Sequence, residues 1–208
     1  MRPDNPTVII IINCKNGMRT VRRCIEAALT QTYPFVEILF QDGGSTDGTL
    51  DIVKEYMQHY PGRIHLYAEP DSCAGEGFYR SLKNACELQV AGNSSIIAYC
   101  NVDEERLPDA AAWGIEQLRN LSEAGAIYGD VFVTDVDGNI TGKWLGTPFS
   151  LGAYIRREVD PPLAASFFRR ETLIEAGILT RNWNWATHEH ELWLRVGLKF
   201  PIQYIPPE

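Results

Sequence analysis

Long apolar runs are missing from this chain of 208 residues: the longest wholly aliphatic one, Val8 to Ile12, is far too short to span a bilayer. The N-terminus lacks the apolar stretch of a signal peptide. An excess of positive charge is missing too. With 19 Lys and Arg against 27 Asp and Glu, the net charge of -8 argues against non-specific nucleic-acid binding. The cysteines (Cys14, Cys24, Cys73, Cys86 and Cys100) show neither CxxC nor zinc spacing, and most sit in apolar patterns. Reduced core thiols in a cytosolic protein are the expectation. Repeats, low-complexity tracts and obvious linkers are absent, so one domain with a sizeable core is expected.

What is present is an alternation. Thr7 to Asn13 is a β-branched run suited to a strand buried on both faces. Val21, Cys24, Ile25, Ala28 and Leu29 then mark one stripe of a helix, which Tyr33-Pro34 ends. Val36 to Phe40 reads as a strand, and Ser45-Thr46-Asp47-Gly48 supplies cap chemistry for a helix through Tyr60. Arg63 to Tyr67 and Ser95 to Cys100 read as further strands, each followed by a helical pattern. That order predicts a mostly parallel α/β sheet flanked by helices. The second half is mixed. Residues 126 to 145 predict one hairpin around Asp137-Gly138, and irregular sequence follows to Phe168. Short helices near Glu171 to Ala176 and Thr187 to Leu198 close the chain.

In open parallel sheets, ligands bind beyond the carboxyl ends of the strands. Three predicted strand ends carry polar clusters: Asn13 to Asn16, Gln41 to Gly44, and Asn101-Val102-Asp103-Glu104. Each alone is explained by turn or cap chemistry. Together they point to a site. In the last helix Glu189, Leu192, Trp193 and Val196 share a face, which would partly desolvate the acid and raise its pKa toward that of a general base. The alternative for an acid at that position is stabilisation by the helix dipole. His188 and His190 flank it, either assisting or merely exposed, and Glu191 and Arg195 read as a solvated ion pair. Trp183 and Trp185 suit either an acceptor platform or the core. Arg169 and Arg170, and Arg80 and Lys83, suit either diphosphate contacts or solvated and structural roles.

The stretch TVIIIINCKNGMRTVRRCIEAALTQTYPFVEILFQDGGSTDGTLDIV resembles the opening of family 2 glycosyltransferases. Further matches follow in order: Glu69-Pro70-Asp71, Asn84, NVDEERLP, YGDVFVTDVDGNITG, SFFRRETL and EHELWLRVG. The resemblance implies a single GT-A domain over residues 1–208, with a nucleotide-binding half (1–105) and an acceptor-side half (106–208). It implies inverting transfer of a sugar from a nucleotide-sugar, a UDP-sugar before GDP- or dTDP-sugars.

By the same resemblance Asn13, Lys15, Asp42, Asn84 and Asn101 would hold the nucleotide. Asp103 and Glu104 would hold Mn2+ or Mg2+, and Glu189 would deprotonate the acceptor. Lys15 stands where the family often has an aromatic residue. Asn101 fills the first position of its Asp-x-Asp metal motif, and Glu189 replaces an Asp. The implied acceptor is a saccharide or a lipid-linked glycan in surface polysaccharide synthesis, in the cytoplasm or at the inner membrane face. Two rivals stand beside this reading. One is a nucleotide-sugar-binding module impaired in catalysis, which Asn101 favours. The other is a nucleotidyltransferase, for which Asn13 to Gly17 is a poor version of the glycine-rich basic loop.

Overall fold

A computed structural model describes residues 5–90, 95–180 and 187–207. The first half alternates as expected: β1 (Thr7–Cys14), α1 (Val21–Leu29), β2 (Val36–Asp42), α2 (Thr49–His59), β3 (Ile64–Ala68), α3 (Ala74–Glu87), β4 (Ser95–Asn101) and α4 (Ala110–Asn120). β1 is buried on both faces because helices cover both. Ile9 and Ile11 pack with Phe78, Leu82 and Trp193 on one side. Ile10 and Ile12 pack with Val21, Ile25, Val53 and Ile115 on the other. A continuous β-branched run is what such a position requires.

The second half continues with β5 (Ala126–Tyr128), β6 (Val131–Thr134), β7 (Ile140–Trp144), α5 (Leu151–Ile155), a 3-10 turn at Leu163–Ala165, β8 (Ser166–Arg169), α6 (Arg170–Glu175), α7 (His188–Gly197) and β9 (Ile202–Tyr204). The main sheet has seven strands in the order β3-β2-β1-β4-β8-β5-β9, and β6-β7 form a separate ribbon. β1, β2, β3 and β4 are parallel to one another, whereas β8 runs antiparallel to both β4 and β5.

Two expectations are corrected here. The run from Ala126 to Thr134 is not one hairpin strand: it breaks at Gly129-Asp130, sending β5 into the main sheet and β6 into the ribbon. Asp130 explains the break. Its carboxylate accepts from Gly146 N (2.8 Å) and Tyr204 Oη (2.8 Å) and pairs with Lys143 (2.9 Å), so the chain turns around it. The segment before Phe168 is also more ordered than its sequence pattern suggests. Ser166, Phe167 and Phe168 are all buried in β8, a strand too short to show a period.

Local motifs hold the site rim. Gln31 of QTYP donates to Leu107 O (2.8 Å) and accepts from Ala111 N (2.9 Å), stitching the end of α1 to the start of α4. Arg106, buried over the Phe167 ring at 4.8 Å, donates to Tyr99 O (2.6 Å). The loop between β4 and α4 is therefore anchored at both ends. The cysteines are free thiols, buried except for Cys73.

Candidate active site

The register of the parallel strands brings the predicted polar clusters together. Cys14 lies opposite Asp42, and Asn13 lies opposite both Gln41 and Asn101. All three strand ends share one rim, where β1 separates β2 from β4 and the strand order reverses.

Asp42 is fully buried at 0% exposure. Its Oδ1 accepts from Gly44 N (2.9 Å) and Ser45 N (2.8 Å), closing the turn, while Oδ2 is buried with no partner among the described residues. The turn therefore uses one oxygen of the carboxylate and leaves the other buried and unpartnered. A buried acceptor without a partner is costly, and native structures keep few of them. Lys15 Nζ bridges to Asp71 Oδ1 at 3.0 Å. Asp71 in turn is wedged against two glycines: a Cβ on Gly43 would lie 2.1 Å from its Oδ2, and one on Gly77 2.6 Å. Asn84 donates to Gln41 Oε1 (2.9 Å).

At the end of β4, Asn13 Nδ2 donates to the Tyr99 hydroxyl, and the hydroxyl lies 3.5 Å from Asn101 Oδ1. Asn101 donates to Glu104 twice, from its backbone N (2.7 Å) and from Nδ2 (3.3 Å). Glu104 is pushed above the usual carboxylate range by burial, an effect that these bonds oppose. Neither Asn101 nor Asp103 caps α4, whose N-cap is Asp109. Asp103 is exposed and makes no hydrogen bond with a described residue.

The residues present fit a divalent cation through that one carboxylate. Hard cations such as Mg2+ commonly take one or two carboxylates and complete their shell with substrate phosphates and water. Among the described residues no group of three His, Cys, Asp or Glu side chains forms a ready metal cage.

Glu189 stands at the first turn of α7, above buried Leu192, Trp193 and Val196. Its side chain is 51% exposed, yet its carboxyl faces a cleft of about 300 Å³ lined by Tyr154, Arg157, Asp160, His190 and Trp193. Burial pushes its pKa above the ordinary value; His188, 3.9 Å away, opposes this, and the Asp160 charge adds to it. The cleft adjoins the strand-end rim. The His188 and Tyr99 rings each lie 4.9 Å from Phe78, and both Glu189 and Glu104 act on the buried Tyr99 hydroxyl, whose pKa is raised mainly by burial.

Other candidates fall elsewhere. Arg169 donates to the Leu118, Leu121 and Ala124 carbonyls, and Arg170 to Cys86 O. Because Arg169 pairs with Ile96 at the start of β4, it lies at the rim opposite Asn101. Arg80 is held by Glu76 (2.6 Å) and Pro70 O (2.9 Å), and Lys83 pairs with Glu87. Glu191 pairs with Arg195 at 2.6 Å as its spacing implied, but the pair is half-buried rather than solvated. Trp183 and Trp185 lie outside the described residues. Tyr99, Arg157 and Asp160 were not singled out from sequence. The only available signal for Tyr99 was a hydroxyl two residues before Asn101 in an otherwise apolar strand.

The family described as Glycosyl transferase family 2 matches residues 9–166. The chain belongs to glycosyl transferase family 2, and its sheet and helices have the GT-A architecture. Escherichia coli chondroitin synthase is 25% identical over 203 residues, 96% of this chain but 28% of that protein, so the chain spans under a third of this relative. Among solved structures, S. aureus TarS 1-349 in complex with UDP-GlcNAc superposes with a TM-score of 0.68 at 12% identity, covering 97% of this chain and 59% of that one. The mannosyltransferase PcManGT from Pyrobaculum calidifontis, in complex with GDP-Man and Mn2+, gives a TM-score of 0.68 at 15% identity, covering 97% and 55%. Among the described residues no helix is long and apolar enough to cross a membrane.

Proposed function

We propose that the chain is the catalytic domain of an inverting glycosyltransferase that moves a sugar from a nucleotide-sugar to a saccharide hydroxyl during polysaccharide synthesis. The observation that carries this reading is Asp42: a fully buried carboxylate with one unpartnered oxygen at the rim that adjoins the Glu189 cleft. Asp42 Oδ2 accepts a ring N–H of the base, a charge-assisted bond in a buried setting. That pattern suits uracil, and UDP-GlcNAc is what TarS binds. Residues 1–105 supply this half of the site, and residues 106–208 supply Glu189 and the acceptor cleft.

Glu189 accepts the proton of the attacking hydroxyl while that oxygen bonds to the anomeric carbon from the face opposite the diphosphate. The bond from that carbon to the phosphate oxygen breaks, and configuration inverts. A raised pKa makes Glu189 a better base near neutral pH. Asp103 would hold a divalent cation, which supplies neutralising charge to the departing diphosphate; PcManGT carries Mn2+ with GDP-Man.

A second reading, a domain that binds nucleotide-sugar without transfer, is favoured by the engagement of Asn101 and Glu104 with each other, which leaves Asp103 as the free acid of the motif. Calorimetric titration with UDP, with and without Mn2+, separates the outcomes. Binding strengthened by Mn2+ is expected. Absence of binding in both titrations overturns the proposal, and binding without donor turnover supports the second reading.

A further inference from the structure

We propose that the cleft beside Glu189 reads an anionic substituent on the acceptor sugar through Arg157. The inference rests on the glycosyltransferase reading above and specifies its acceptor.

The first observation is a backbone conformation. Helix α5 ends with Arg157 N donating to Tyr154 O (3.0 Å) and Glu158 N donating to Ala153 O (2.9 Å), while Arg157 itself adopts φ 59°. This is the double closure in which the left-handed position is normally filled by glycine, because a side chain there is strained. The closure uses only main-chain atoms, so it gives no reason for an arginine. A strained residue retained where a cheaper one fits points to a use for its side chain.

The second observation is a guanidinium that no direct ion pair with a described residue holds. Neighbouring Arg156 is clamped by Glu158 at 2.8 and 2.7 Å. The Arg157 guanidinium, by contrast, has no hydrogen bond or ion pair with a described residue, and neither has Asp160. Both line the cleft with Glu189. Apart from Val159, its remaining wall is aromatic: Tyr154 and His190 stack at 4.5 Å and 28°, next to buried Trp193.

A cleft of about 300 Å³ with an aromatic wall suits one sugar ring. A neutral sugar could donate hydroxyls to the two carboxylates and accept from Arg157, but would offer that guanidinium no charge-assisted, bidentate partner. A sugar carrying a carboxylate or a phosphate matches all three groups in one orientation. Its anion sits on the planar guanidinium, and repulsion from Asp160 and Glu189 turns its hydroxyls toward them. The base then receives a hydroxyl and never the anion.

The test uses three disaccharide probes with UDP present: one ending in glucuronic acid, its carboxyl-reduced glucose counterpart, and one ending in glucose 6-phosphate. They are titrated into the parent, Arg157→Gly and Arg157→Lys. The parent is expected to bind one anionic probe about tenfold tighter than the neutral one, and the tighter of the two identifies the anionic group. Arg157→Gly should erase the preference while raising the melting temperature, since glycine relieves the left-handed strain; Arg157→Lys should keep part of it. No anionic preference in the parent, a preference surviving in Arg157→Gly, or a lowered melting temperature in Arg157→Gly would each overturn the inference. UDP affinity of the parent is measured separately: its absence defeats the glycosyltransferase reading, whereas intact UDP binding without anionic preference defeats this subsite alone.

Discussion

Asn101 donates both its backbone N–H and its side-chain amide to Glu104, so the first position of the acid cluster is spent on orienting its fourth. An aspartate at position 101 would keep the backbone bond and replace the side-chain donor with a second carboxylate. Glu104 is already pushed upward by burial. Asn101→Asp should therefore destabilise the fold by about 1–3 kcal/mol at neutral pH, the usual range for an unsatisfied or repelled buried group. Urea unfolding checks this at two pH values. The loss should shrink on acidification, because protonating either carboxylate restores a donor and removes the repulsion.

Asp42→Asn leaves Oδ1 to close its turn and turns the unpartnered Oδ2 acceptor into a donor. A hydrogen bond to a charged group is worth about 1.5–3 kcal/mol, so the UDP dissociation constant should rise about 10- to 150-fold. Calorimetry of the variant reads this directly. A change below threefold would remove Asp42 from base recognition.

Glu189→Gln should lower the transfer rate about 10²- to 10⁴-fold, the range for loss of a general base, with UDP affinity retained. The pH profile carries a sign. Glu189 works deprotonated, so transfer should fall as pH drops through its raised pKa, above the range of an ordinary carboxylate. The effect on stability has the opposite sense. A carboxyl whose folded pKa lies above its unfolded one binds more protons when folded, so it lowers stability as pH rises through the folded value. Glu189→Gln should thus be much slower and slightly more stable at neutral pH, read by turnover and thermal melting together.

Gly43→Ala would set a Cβ 2.1 Å from Asp71 Oδ2, a distance that requires Asp71 to move. Displacing Asp71 also breaks its 3.0 Å bridge to Lys15. A loss of about 1–3 kcal/mol by denaturant titration is expected, as for other overpacked positions.

The sequence made the left half of this molecule legible because its periods are clean. β1 is a central strand whose β-branched run admits few other readings, and the stripe Val21, Cys24, Ile25, Ala28 is buried in α1 as its spacing requires. The polar clusters at three strand ends pointed to a shared rim, whereas the register that sets Asn13 opposite Asn101 and Cys14 opposite Asp42 is visible only in the sheet. Short elements defeated the same logic. β8 contributes four residues and α5 one turn, both below the length at which a period can be counted. Arg157 and Asp160 were hidden for a different reason: their significance lies in a left-handed backbone angle and in the lack of partners, neither of which is a pattern in the letters. Arg169 and Arg170 take the structural one of their two expected roles, since both bond main-chain carbonyls near the ends of α4 and α3.

Strand β8 enters the sheet between β4 and β5 and runs against both. A chain cut after residue 105 would leave Ile96, Ile97 and Ala98 with a bare row of amide groups along a flat apolar flank, an invitation to sticky self-association. Swapping recognition halves between relatives to retarget such an enzyme would therefore have to move β8 with the strand it shields, rather than join the pieces at the loop beside Asp103.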